Sequence, residues 1–279
     1  MGYKLSLAAA LVSLPFTQPL ESQPVPSEAA LTYADLADLS VAAPIAAHLR
    51  IRDADALRPE EAPNLAPGTR RYLVTADVVA LIRGSGGLPA QVSYLIDLPS
   101  DSRGHAVRPR RRDEVLVLAA PVAGHPAELR LVAPDAQLPF SAPLAERLRA
   151  VVRDSTAAGA PPRLTGIGRA FHVPGSLPGE SETQIFLQTA GGRPVSLTIL
   201  RRPGQQPRWA VALSEIVDEA AAPPAPDTLL WYRLACTLPA ALPPQSLSEA
   251  SAEEARAIRA DYAVVIDGLG RCIRHRSRG

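Results

Sequence analysis

Histidine beside carboxylates is the arrangement in this chain best suited to chemistry. His172 stands next to Phe171 and just ahead of Pro174-Gly175. Glu180 and Glu182 follow in the next loop, and Glu215 and Asp218 close a later patterned strand. It is read as the one histidine within a patterned element. An imidazole titrates near neutrality, so a convergent set of His172, Glu182, Glu215 and Asp218 would make an acid–base pair or a metal site. The plainer reading is a half-exposed histidine at a strand end among ordinary surface acids, because spacing alone does not make side chains converge.

Arginine supplies two further groups. Arg108, Arg110, Arg111 and Arg112 cluster in a loop, and Arg271 to Arg278 form a basic tail that reads as frayed. Guanidinium clusters bind phosphates, anionic polymers or lipid head groups, against the simpler reading of a solvated loop. No aromatic residues interleave with them, so stacking on bases is not indicated and nucleic acid is not expected as a partner. Asp53-Ala54-Asp55 lacks the glycine and further acids of a calcium loop and reads as a turn.

The standard catalytic signatures are missing: there is no Gly-x-Ser-x-Gly, His-Glu-x-x-His, Walker A or Cys-x-x-Cys. Gly166-Ile167-Gly168 begins like a dinucleotide fingerprint, but Phe171 stands at its sixth position and no βαβ unit surrounds it. Those glycines read as a bulge. No motif asks for a cofactor. No metal site is expected at the cysteines either, since their nearest partner at ligand spacing is His275 in the tail.

Composition sets the frame in which these residues must be placed. With 279 residues the chain can hold two domains, and 47% hydrophobic against 20% charged residues marks it as globular. A net charge of +1 gives no overall field. The 29 prolines argue against long helices. Met1 to Lys4 followed by the apolar run Leu5 to Phe16 has the form of an export signal, too short to span a bilayer. Export would make Cys236 and Cys272, the only cysteines, one disulfide.

The hairpin over Arg71 to Leu98 organises the first half. Two β-branched and aromatic runs flank a glycine-dense turn at Gly84 to Gly87. In the second run Val92, Tyr94, Ile96 and Leu98 share a face. In the first, Tyr72, Val74, Val78 and Ile82 oppose Leu73, Val79 and Leu81, which reads as a strand buried on both sides. Before it, Thr32 and Asp35 have capping-box spacing for a short helix, and Ile45 to Ile51 alternate as a long strand. After it come strands over Glu114 to Ala120 and Glu128 to Val132, then a helix over Pro143 to Arg153.

Past a Pro/Gly-containing linker at 154–162, Leu164 to Val173, Ile185-Leu187, Val195 to Ile199 and Trp209 to Leu213 read as an antiparallel meander with one apolar face. Two helices should cover that face. The first is capped by Asp227, carries Leu230, Leu234 and Leu238, and contains Cys236. The second starts at the Ser251–Glu254 capping box, with Cys272 just beyond its end.

Tyr33-Ala34-Asp35-Leu36-Ala37-Asp38-Leu39, Val78 to Gly84 and Asp113 to Leu118, in this order, resemble the OB-like barrels of netrin-like and metalloproteinase-inhibitor domains over residues 32–135. That resemblance implies a barrel. It does not carry over the inhibitors' metal-chelating N-terminal cysteine, because no cysteine precedes Cys236. Phe171 to Gly175, Gly179 to Leu187 and Arg208 to Glu215 are similar to a bacterial family of unknown function whose members carry export signals.

The expected fold is therefore α+β and mainly β: a leader over 1–31, an OB-like barrel with a closing helix over 32–153, and an antiparallel sheet with two C-terminal helices over 163–279. The leading functional expectation is a non-catalytic exported binding protein, periplasmic or secreted, whose partner is a protein or a cell-envelope component. The alternatives are a hydrolase or metal-dependent enzyme near His172, and an anionic-polymer binder using the 108–112 loop.

Overall fold

The computed structural model describes residues 31–100, 108–213 and 222–276, so the expected leader through residue 30, and Glu215 and Asp218, lie outside the described residues. From Leu31 onward the chain is one compact unit. It is α+β, as expected: a closed five-stranded OB-like barrel, an antiparallel sheet, and four α-helices among the described residues.

Helix α1 (Tyr33–Ala42) begins at the expected capping box. The Thr32 hydroxyl accepts from the Asp35 N–H at 3.1 Å, and the Asp35 carboxylate accepts from the Thr32 N–H at 2.9 Å. Pro44 pushes Ala43 into extended backbone and ends it.

The barrel strands are β1 (Ile45–Ala56), β2 (Thr69–Arg83), β3 (Gln91–Pro99), β4 (Glu114–Val122) and β5 (His125–Leu131), in the closed order β1-β2-β3-β5-β4-β1. A short β6 (Gln137–Pro139) also pairs with β4. Strand β1 pairs with both β2 and β4, and three register shifts bend it enough to do so. Leu49, Ile51, Tyr72, Val74, Val92, Tyr94, Ile96, Val115 and Val117 fill the interior. The Tyr94 hydroxyl donates to Gln137 Oε1 at 2.6 Å.

One expectation is corrected here. Strand β2 is buried on one side only, with Tyr72 3% and Val74 0% exposed but Leu73 41%, Val79 43% and Leu81 38% exposed. A barrel has one interior, and among the described residues no second layer covers this side of it. Strand β4, by contrast, is buried on both faces. Its Val115, Val117 and Ala119 line the barrel, while Leu116 and Leu118 lie under α1 and α2 (Ala142–Thr156). Helix α2 starts at Ser141, whose hydroxyl accepts from the Leu144 N–H, and presents Ala145, Leu148, Val151 and Val152 to that layer.

The second sheet comprises β7 (Leu164–Pro174), β8 (Ser181–Thr189), β9 (Val195–Arg201) and β10 (Arg208–Ala212), antiparallel throughout in the order β10-β9-β8-β7. Strand β7 is bulged where Gly166 and Gly168 fall. A β-carbon on Gly168 would sit 3.2 Å from the Phe186 carbonyl oxygen, so the glycine permits the bulge. Helices α3 (Leu229–Ala235) and α4 (Ala252–Leu269) cover one face, burying Ile185, Leu197, Ile199, Leu234, Ile258 and Val265. Gly268 lets α4 approach Trp209, since a β-carbon there would meet the indole nitrogen at 2.5 Å. No helix of the described residues is long and apolar enough to cross a membrane.

Two details of α3 differ from expectation. Its N-cap is Thr228 rather than Asp227, which adopts φ 56°, and it ends at Ala235, so Cys236 caps the helix instead of lying inside it and Leu238 lies beyond it. Cys236 and Cys272 form a disulfide with a Cα–Cα distance of 5.1 Å. It joins the end of α3 to the chain just past α4.

The basic tail is not frayed over its described residues. Arg274 Nε donates to Asp38 at 2.6 Å, Arg276 forms a two-pronged pair with Asp135, and the N–H groups of His275 and Arg276 donate to the buried Asp35 carboxylate. The Tyr232 hydroxyl also donates to Asp38, at 2.6 Å. Residues 272–276 thus strap the end of the second sheet's helices to the start of α1.

Candidate functional site

His172 lies near the end of β7 on the helix-covered face, its side chain 14% exposed. Its Nδ1 stands 2.8 Å from the Thr183 hydroxyl on β8, and that hydroxyl donates to Asp261 Oδ2 on α4. Thr183 has a single proton, committed to the carboxylate, so it accepts from His172. The imidazole therefore carries its proton on Nδ1, and its Nε2 has no hydrogen-bond partner among the described residues. Arg201 Nε, from β9, donates to the other Asp261 oxygen at 2.5 Å. Asp261 is fully buried, and Arg201 balances its charge. The imidazole itself is 3.8 Å from Asp261, so a hydroxyl separates base from acid.

Of the expected carboxylates, Glu215 and Asp218 lie outside the described residues, and Glu182 does not meet His172. Glu182 is paired in register with Val173 and Leu200, on the opposite face of the sheet, and accepts from Gln184 at 2.9 Å. Glu180 folds back on its own turn and accepts from the Ser176 and Leu177 N–H groups. Among the described residues no group of three or more His, Cys, Asp or Glu side chains could hold a metal ion. The partners that His172 does find are 11 residues away (Thr183) and, through Thr183, 78 residues further on (Asp261). The one trace of them in the sequence is an acid set into the apolar stripe Ile258, Tyr262, Val265 of α4.

Two further histidines also sit in strands, contrary to expectation, one of them His125 at the exposed start of β5. His48 of β1 stacks on Phe140 with ring centroids 3.9 Å apart, and its Nε2 lies 3.0 Å from Glu114. Arg50 above all, with His48 beside it, holds the Glu114 carboxyl below the usual carboxylate range. This cluster fastens β1 to β4 on the barrel's outer surface.

The arginine loop is an ordered turn. Arg108 Nε donates to the Ala54 carbonyl at 3.0 Å, and its Nη2 lies 3.6 Å from Asp53. The Arg112 N–H donates to the Ile51 carbonyl at 2.7 Å, with Arg112 at φ 72°. Arg110, Arg111 and Arg112 are exposed.

Grooves accompany these clusters. On the second sheet's uncovered face, Phe171 packs edge-on to Phe186 beside a groove lined by Val173, Glu182, Leu200 and Arg202. A groove of about 730 Å³ belongs to the barrel. Strands β3 and β5 run parallel and pair only through Ser93–Glu128 and Tyr94–Leu129. Beyond these pairs they diverge, leaving a cleft between Leu73 and Leu95 on one side and Leu131 to Pro134 on the other. The Arg71 guanidinium grips Asp97 with two bonds of 2.6 and 2.7 Å along its rim. Tyr94 and Ile96 also border the cleft although their side chains lie inside the barrel, so they present backbone to it.

Compared with known proteins, the chain matches no family model and no curated sequence.

Proposed function

We propose that this is a non-catalytic binding protein that takes an extended polypeptide segment into the barrel cleft as an extra strand along β3. The observation that carries this reading is the divergence of β3 from β5. Past Tyr94, no described residue pairs with the second edge of β3, so alternate N–H and C=O groups of Leu95 to Pro99 point into an apolar cleft. An incoming strand would satisfy those groups, and Leu73 and Leu95, 41% and 46% exposed, would receive alternate apolar side chains of the guest.

Supporting a non-catalytic role, the His172 imidazole is engaged by a hydroxyl in a charge-balanced network that ties strands to α4, while Glu182 faces the other way. The Cys236–Cys272 bridge supports export to an oxidising compartment, where such bridges persist.

Selection of displayed random peptides on the intact protein tests the proposal. We expect enriched peptides with alternating apolar residues, whose affinity falls at least tenfold when alternate backbone amides are N-methylated, and again in a Leu95→Asp variant that keeps its melting temperature. Binders indifferent to both changes, or no enrichment at all, would refute the reading.

A further inference from the structure

We propose that the arginine turn at residues 108–112 is a binding site for linear phosphate polymers, separate from the cleft. Arg110, Arg111 and Arg112 project from it, and none has a side-chain partner among the described residues. Exposed arginines nearby behave differently: Arg50 is paired with Glu114 and Arg52 with Asp77. Among the described residues the groove at the turn is lined by Arg108, Arg110 and Arg111 with Pro109, against a single acid, Asp53, which already faces Arg108.

The turn is held rigid before any ligand arrives. The Arg112 N–H bonds to the Ile51 carbonyl, the Ile51 N–H to the Asp113 carbonyl at 2.9 Å, and the Asp113 N–H to the Arg110 carbonyl at 3.2 Å. The Asp113 carboxylate accepts in turn from the Arg110 N–H at 3.2 Å. Little backbone ordering is then lost on binding. Arg112 occupies a left-handed backbone conformation that glycine or asparagine would adopt with less strain, so the guanidinium at this position is not explained by the turn itself.

The ligand class follows from the exposure. A lone phosphate meets these guanidiniums in full solvent, where screening leaves little net attraction. A chain of phosphates engages several forked guanidiniums at once, each able to bind two oxygens, and multiplies weak contacts. Among the described residues the lining contains no aromatic side chain on which a base could stack, which favours a phosphate chain without bases.

Titration of the full chain with long-chain inorganic polyphosphate, with orthophosphate and single-stranded DNA of equal charge as comparators, decides the matter. We expect polyphosphate to bind at least a hundredfold more tightly than orthophosphate and more tightly than the DNA. Affinity should drop at least tenfold in the Arg110→Ala/Arg111→Ala/Arg112→Ala protein at unchanged melting temperature. Arg112→Gly should raise the melting temperature while still weakening binding, and Arg163→Ala, an exposed arginine elsewhere, should leave affinity alone. Wild-type affinity in the triple variant, equal binding of orthophosphate, or tighter binding of the DNA would each overturn the assignment.

Discussion

Reduction of the Cys236–Cys272 bridge, or its removal in a Cys236→Ser/Cys272→Ser protein, lowers the unfolding free energy by about 3–4 kcal/mol. The two sulfurs close a loop of sequence separation 36, and opening it returns that loop's freedom to the unfolded chain. Losing the bridge also loosens the strap that Cys272 opens, which carries Arg274 to Asp38 and Arg276 to Asp135. Denaturant melts with and without reductant measure the total. Hydrogen exchange locates it, with the amides of His275 and Arg276 expected to lose protection first. A change below about 1 kcal/mol, or one spread evenly over the barrel, would contradict this account.

Acid attacks the same strap by another route. Burial alone would raise the Asp35 carboxyl, but the N–H groups of Thr32, His275 and Arg276 and the Thr32 hydroxyl outweigh it and hold the group below its ordinary range. Asp35 therefore stabilises the folded chain above its unfolded pKa of about 3.9, and that contribution is lost as pH falls through the lower folded value. An Asp35→Asn protein should accordingly show a flatter fall in melting temperature than the wild type between about pH 5 and about pH 2.

The Asp261→Ala protein is destabilised by about 3–5 kcal/mol. The carboxylate is fully buried and satisfies both Thr183 and Arg201, so truncation leaves a buried hydroxyl and a partly buried guanidinium without their acceptor. His172→Ala should cost much less, about 1 kcal/mol, because it removes only the outer member of the chain and leaves the charge pair intact. Equilibrium unfolding of both variants distinguishes a structural tie from a reactive group poised at the protein's expense. Equal costs would mean that the imidazole, and not the acid, holds the network together.

How much of this was legible from residues alone depended on whether a feature is local. Both capping boxes, Thr32–Asp35 and Ser251–Glu254, are readable because donor and acceptor lie three residues apart. The meander was readable because Ile185 to Leu187 and Val195 to Ile199 alternate around Gly191-Gly192. Burial of a strand's second face was not, since Leu73 and Leu116 look alike in sequence and only the packing of α1 and α2 decides which is covered. The candidate site was least legible. The spacing sets His172 beside Glu182, Glu215 and Asp218, whereas Thr183 and Asp261 reach it through the pairing of β7 with β8 and the seating of α4, neither of which spacing encodes. The tail was misread for the same reason, because the acids that hold it lie about 140 residues away at Asp135 and about 240 away at Asp35.

The two faces of the β2–β3 hairpin have a consequence for how the barrel is assembled. Leu73 stands across from Leu95 outside, and Tyr72 across from Ile96 inside. Other outward pairs are polar: Arg71 with Asp97, Thr75 with Ser93 and Asp77 with Gln91. Sliding one strand past the other by a single residue would turn such groups inward and push rings and branched chains out to water, so solvent itself rejects the wrong alignment. The Arg71–Asp97 fork and the Tyr94–Gln137 bond reinforce the same choice. The earliest hairpin thus proofreads itself.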